Sequence, residues 1–207
     1  MAQTKELLTF GKDALATKDI SPVDAELILA HFLGVSRMDL HSRTIEIEDQ
    51  TIAEQYKHAI AERLTGKPTQ YITGSAPFRY LEYEVGPGVL IPRPETEVMV
   101  DEVLHQISSM PDPISIVDLG AGAGGISIAL ATETHGKKEV HVIAVEKSKD
   151  ALVWLRKNIQ KHEVNIRVIE DSAANALQGI KCDVVVANPP YLPDGQPIPQ
   201  ELNFEPD

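Results

Sequence analysis

Ile114-Ser115-Ile116-Val117-Asp118-Leu119-Gly120-Ala121-Gly122-Ala123-Gly124-Gly125 is the stretch that decides the fold. Ile114 to Leu119 has the apolar, β-branched character of a buried strand. Gly120 to Gly125 makes a tight turn, and Ile126 to Thr132 has the spacing of a helix start. The same unit repeats downstream. Val140 to Val145 is a second strand ending at Glu146, and Ser148 caps a helix carrying Ala151, Leu152 and Leu155. Ile166 to Ile169 is a third strand, followed by Glu170-Asp171-Ser172, and Val184 to Ala187 is a fourth. The run Val184-Val185-Val186 predicts a strand buried on both faces. Alternating strands and helices imply right-handed crossovers and an α/β fold with a mostly parallel, Rossmann-like sheet.

The glycine turn leaves two cofactors open. Gly120, Gly122 and Gly125 satisfy G-x-G-x-x-G, and Glu146 follows at the distance of a ribose-binding acid, which favours a dinucleotide. Asp118 argues the other way. A pyrophosphate would sit on the N–H groups of such a turn, and a carboxylate about 4 Å from it would cost roughly 4 kcal/mol at an effective dielectric near 20. S-adenosylmethionine carries a sulfonium and an ammonium and no phosphate, so a nearby carboxylate favours it. On this reading Asp118, Gly120, Ala121, Gly122, Ala123, Gly124 and Asn188 line the cofactor, Glu146 holds the ribose hydroxyls, and Asp171 with Ser172 lies beside the adenine. Asp171 and Ser172 also read as a plain helix cap, and the glycines as a turn with no ligand.

Asn188-Pro189-Pro190-Tyr191 closes the fourth strand. The prolines lack N–H groups and hold the residues before them extended. The Asn188 side-chain oxygen and the Pro189 carbonyl then form a stiff rim of acceptors at a strand's carboxyl end, where open α/β sheets bind ligands. Both hydrogens of a planar NH2 group fit such a rim, and Tyr191 adds a ring face. A bare Asn-Pro-Pro is also an ordinary strand-ending turn.

Before the repeats, Thr4 to about Ile72 reads as helices with no convincing strand. Ser21-Pro22 opens one that Gly34 ends, a turn surrounds Met38 to Leu40, and the longest helix runs from about Gln50 to Thr65. Residues 75–92 read as a β-hairpin turning at Gly86-Pro87-Gly88, with Val89-Leu90-Ile91 as its second arm. The expected domains are therefore a helical bundle over 1–74, a hairpin linker over 75–92 and a cofactor-binding domain over 93–207.

The 207 residues carry a net charge of −12, which disfavours a large duplex nucleic-acid footprint. No 18-residue apolar run suggests a membrane span. A single cysteine, Cys182, and the absence of signal-peptide features at the N-terminus suggest a cytoplasmic protein. Cys182 reads as a small core residue, and the seven histidines lack the spacing of metal ligands.

Asp118-Leu119-Gly120-x-Gly122-x-Gly124 followed by Asn188-Pro189-Pro190-Tyr191 resembles class I S-adenosylmethionine-dependent methyltransferases that act on planar nitrogens. Gly66-Lys67-Pro68-x-Gln70-Tyr71-Ile72-x-Gly74, Leu90-Ile91-Pro92-Arg93-Pro94-Glu95-Thr96-Glu97 and Asn203-Phe204-Glu205-Pro206 further resemble the HemK/PrmC group, the peptide chain release factor glutamine methyltransferases. The resemblance implies methyl transfer to the side-chain amide nitrogen of the glutamine in the Gly-Gly-Gln loop of a release factor. Asn188, Pro189 and Tyr191 would be catalytic, and Asn188, Pro189, Pro190 and Tyr191 would receive the substrate. The helical bundle would help receive the release factor. Asn-Pro-Pro-Tyr is shared with DNA adenine methyltransferases, which leaves that activity, or a non-catalytic cofactor-binding fragment, as alternatives. In the family the sheet has seven strands where four are read here. The expectation is thus of a C-terminally truncated chain with Val184 to Ala187 as a bare apolar edge.

Overall fold

The computed structural model describes residues 2–42, 45–47, 49–189 and 203–206. Contacts divide the chain into two compact units, the break falling between Thr73 and Gly74.

The first unit is built from α1 (Thr4–Ala16), α2 (Pro22–Leu33), α3 (Arg37–Ser42), α4 (Gln50–Leu64) and α5 (Thr69–Thr73). Leu15, Ala25, Ile28, Leu29, Tyr56 and Ile60 fill its core. Gly11 lets α1 approach α4 closely, because a Cβ there would lie 1.9 Å from the Tyr56 hydroxyl. The Ser21 hydroxyl accepts from Val23 N at 3.3 Å to start α2, and Gly34, at φ 63°, ends it. Two expectations need correction. A two-residue ladder pairs β1 (Ala2–Gln3) with β2 (Glu46–Ile47), too short to leave a readable period. The expected turn at Met38 to Leu40 is α3, because Ser36 and Asp39 cap each other: Asp39 N donates to Ser36 Oγ at 3.2 Å, and Ser36 N to Asp39 Oδ2 at 3.0 Å.

The second unit opens with a hairpin of β3 (Ser75–Phe78) and β4 (Leu81–Glu84), paired from Ser75↔Glu84 to Phe78↔Leu81. Its turn is therefore Arg79-Tyr80, and Gly86-Pro87-Gly88 lies beyond it. Val89 to Ile91 is no strand. What replaces the expected glycines is electrostatic. Arg79 takes a left-handed φ of 53° because its guanidinium is held from several sides. Nε and Nη2 donate to the two Glu133 oxygens at 2.5 and 2.8 Å, and Nη1 to Asp101 Oδ1 at 2.7 Å. Its backbone N donates to Glu97 Oε1 at 2.8 Å. Gly86 instead lies under the Trp154 ring, where a Cβ would come within 2.4 Å. Arg79→Ala leaves the largely buried Glu133 carboxylate without its fork and should lower stability by about 3 kcal/mol, read as a reduced urea midpoint.

After one 3₁₀ turn (Pro94–Thr96), α6 (Glu97–Ile107) leads into the repeats. These are β5 (Ile114–Leu119), α7 (Gly125–Thr134), β6 (Val140–Glu146), α8 (Lys149–Lys161), β7 (Ile166–Glu170), α9 (Ala173–Ala176) and β8 (Val184–Ala187). The sheet is parallel, in the order β7-β6-β5-β8, as the alternating pattern implies. Ile114, Ile116, Val117, Ala144 and Val145 are buried at its centre. The expectation that β8 is buried on both faces fails: Val186 is buried but Val185 is 48% exposed. Among the described residues β8 pairs with β5 alone, so it lies at an edge. Cys182 is half-buried, packed against the Val117 and Ile143 cluster.

Candidate functional site

The register of the sheet brings the candidate residues into one row. Leu119 pairs with Ala187 on one side and Val145 on the other, and Val145 with Ile169. One residue further along each strand lie Asn188, Gly120, Glu146 and Glu170, in that spatial order, with Asp171 and Ser172 beyond Glu170. Neighbouring strands are about 4.8 Å apart, so Asn188 and Glu146 flank the turn across roughly 10 Å. The chain runs outward from β5 to β6 and β7, then returns to β8 on the opposite side of β5. The row therefore spans the point where the strand order reverses, the crevice at which doubly wound sheets take ligands.

The glycine turn divides its labour. Gly120, Gly122 and Gly124 all have positive φ, at 75°, 55° and 90°. A Cβ on Gly124 would meet Ile128 Cδ1 at 2.7 Å and Leu155 Cδ1 at 2.8 Å, so that glycine serves packing. A Cβ on Gly120 would meet nothing within 4 Å, and one on Gly122 only Val89 Cγ2 at 4.0 Å. Those two leave open space above the turn, a cradle that side chains would fill.

Four of the turn's donors are used inside the protein. Gly120 N and Ala121 N both donate to Val145 O, at 2.9 and 3.0 Å, and Gly124 N to Ala121 O at 2.8 Å. Gly122 N donates to Glu146 Oε2 at 2.9 Å, and Ser148 N to Glu146 Oε1 at 2.7 Å. A carboxylate thus stands where a phosphate would bind, and the arrangement fits a cationic ligand better than a dinucleotide. Each Glu146 oxygen keeps a further lone pair for a ribose hydroxyl.

Asp118 reaches the same electrostatic result by a route the sequence argument did not foresee. Its side chain does not line an open pocket; it is 1% exposed and accepts from both Ser127 N, at 3.1 Å, and the Ser127 hydroxyl. It caps the first turn of α7 and neutralises the helix end that would otherwise attract an anion. Burial pushes its carboxyl up from 3.8 to about 6, the Ser127 bonds oppose the rise, and the charge of Glu146 adds to it. A raised carboxyl pKa means that the folded chain holds the proton more tightly than the unfolded one. The contribution to stability is therefore greatest below pH 4 and is lost as the pH rises through 6. Asp118→Asn should remove that slope, gaining on the parent by on the order of 3 kcal/mol between pH 4 and 7; urea unfolding at several pH values reads the difference.

Asp171 is exposed, its Oδ1 accepting from Ser172 N at 2.7 Å and Asn175 Nδ2 at 3.3 Å, and Ser172 is the N-cap residue of α9. The half-buried Asn188 donates from Nδ2 to Thr96 Oγ1 at 2.9 Å, and Pro189 is exposed. Pro190 and Tyr191, expected to receive the substrate, lie outside the described residues. The sequence reading gave no site role to Thr96, Ser127 or the pair Arg93–Glu205. Thr96, Arg93 and Glu205 stand in blocks that carried the family resemblance, which was the available signal. Among the described residues no group of His, Cys, Asp and Glu is arranged to hold a metal ion, and no helix is long and apolar enough to cross a membrane.

A parallel sheet of this order is common to dinucleotide-binding and methyltransferase folds, and the match of residues 97–201 to the family described as "Methyltransferase small domain" identifies it as the class I S-adenosylmethionine-dependent methyltransferase fold. Residues 6–74 match the "PrmC N-terminal domain". Curated relatives carry the name release factor glutamine methyltransferase. That of Streptomyces coelicolor is 42% identical over 82% of this chain and 58% of its own length. That of Burkholderia pseudomallei is 35% identical over 100% of this chain and 74% of its own, and that of Corynebacterium glutamicum 34% over 97% and 74%. The chain belongs to the release factor glutamine methyltransferase family. It spans between 58% and 74% of the length of these three relatives.

Proposed function

We propose that this chain serves S-adenosylmethionine-dependent methylation of the side-chain amide nitrogen of the glutamine in the Gly-Gly-Gln motif of a peptide chain release factor. The observation that supports this reading most directly is Asn188 at the switch point, beside Gly120, with its own amide anchored on Thr96. When bound, S-adenosylmethionine supplies an electrophilic methyl on a sulfonium. Glu146 would hold the ribose hydroxyls, Gly120 and Gly122 leave room for the donor, and Asp171 with Ser172 stands next in the row for the adenine.

An amide nitrogen is a poor nucleophile because its lone pair is delocalised. Asn188 Oδ1 and the Pro189 carbonyl would accept its two hydrogens and fix the amide plane, turning the nitrogen face toward the methyl. Tyr191 would pack against that plane. The contribution is orientation and electrostatics, with no strong base required. The helical unit over 1–74 would contribute to release-factor binding, with residues 75–92 as linker and 93–207 as the catalytic part. The reading puts the chain in the cytoplasm, with its partner.

The test is incubation with methyl-labelled donor and either a release factor, its Gln→Ala variant, or duplex DNA. Label on the glutamine of the parent factor alone is the expected result. Label on adenine would favour DNA methylation, and donor uptake by calorimetry without transfer would favour a binding fragment.

A further inference from the structure

We infer that Thr96 is a positioning residue for the methylation site, acting through the side chain of Asn188. This rests on the function proposed above. The block Ile91-Pro92-Arg93-Pro94-Glu95-Thr96 is a frame to which both flanks of residues 190–202 are tied. On one flank, Asn188 Nδ2 donates to Thr96 Oγ1 at 2.9 Å. On the other, Arg93 Nη2 donates to Glu205 Oε1 at 2.5 Å, and Ile91 N to Glu205 Oε2 at 3.4 Å. The Glu205 side chain is 3% exposed, so this carboxylate is a buried anchor for the frame.

The chemistry asked of Asn188 makes its anchoring matter. A carboxamide presents donors on one edge and an acceptor on the other, and rotation about its last torsion exchanges them at little cost. Turned over, Asn188 would aim an NH2 at the incoming NH2 of a substrate amide, a donor against a donor. In this structure the Thr96 hydroxyl accepts from the nitrogen edge, which turns the oxygen edge away from Thr96. Thr96 is itself held, on a 3₁₀ turn whose first residue, Pro94, has a fixed φ and whose entry is tied down through Arg93. The bond spans 92 residues of sequence, which excludes a local turn contact.

Thr96→Val removes the hydroxyl at nearly constant shape, and Thr96→Ser restores it. For Thr96→Val, kcat should fall about 10²-fold, with donor affinity and release-factor KM close to the parent; Thr96→Ser should return most of the rate. A second readout does not depend on turnover. The Asn188 side-chain NH2 resonance, assigned by its loss in Asn188→Asp, should exchange faster with solvent in Thr96→Val than in the parent or Thr96→Ser. Unchanged exchange, or a loss of donor affinity that parallels the loss of rate, would overturn the role of Thr96. A parent chain inactive on release factors whose Asn188 exchange still responds to Thr96→Val would refute the proposed substrate and leave the orienting contact standing.

Discussion

Asn188→Ala is expected to lower turnover about 10³-fold, the effect of deleting one preorganised polar contact at a reacting centre, while donor affinity changes less than about tenfold, under 1.4 kcal/mol. The split follows from position. Asn188 is the first residue past β8, on the far side of Gly120 from Glu146, so it stands across the turn from the carboxylate proposed to hold the ribose. Truncation removes both the oxygen that would grip the substrate amide and the nitrogen that holds Thr96. Asn188→Asp separates the two losses. It keeps an oxygen for the substrate but puts a carboxylate against the Thr96 hydroxyl, which can only donate to it, and should retain part of the rate. Single-turnover methylation gives the chemical step, and calorimetric titration gives donor affinity. Equal losses in both measurements would assign Asn188 to the donor.

The second large effect concerns the core. Gly124→Ala should destabilise the domain by about 3 kcal/mol, adding the cost of a left-handed alanine to that of overpacking. The added methyl would lie 2.7 Å from Ile128 Cδ1 and 2.8 Å from Leu155 Cδ1, two side chains that are themselves fully buried and have no room to give. Gly120→Ala is the control. Its backbone strain is of the same kind, but its methyl points into open space, so the stability cost should be near 1 kcal/mol and the larger loss should be in donor affinity. Urea unfolding of both variants beside calorimetric donor titration checks the contrast; a Gly124→Ala chain as stable as the parent would contradict it.

How much of this could be read from residues alone depends on the range of the interaction. The parallel sheet was legible because Ile114 to Leu119 and Val140 to Val145 carry the strand signal within themselves and the glycine turn joins the first to its helix. The hairpin turn was misread because Gly86-Pro87-Gly88 has turn chemistry, whereas Arg79-Tyr80 is held by partners distant in sequence, Glu97, Asp101 and Glu133. The exposure of Val185 was missed for a related reason, since burial of a strand depends on what lies beside it. The contact of Asp118 with Ser127 was not legible, because it forms only once α7 packs back on the sheet. Thr96 was visible only as a letter in a family block, without its partner.

One consequence of the turn's internal bonding reaches beyond the methyl donor. Adenine nucleotides share the adenosine half of that donor and differ in carrying phosphate. In this domain Gly120, Ala121, Gly122 and Gly124 give their N–H groups to Val145, Glu146 and Ala121, and Asp118 caps the helix that follows. A triphosphate entering the crevice would find four of the turn's N–H groups already committed and the Glu146 carboxylate beside them, an arrangement expected to disfavour phosphorylated competitors.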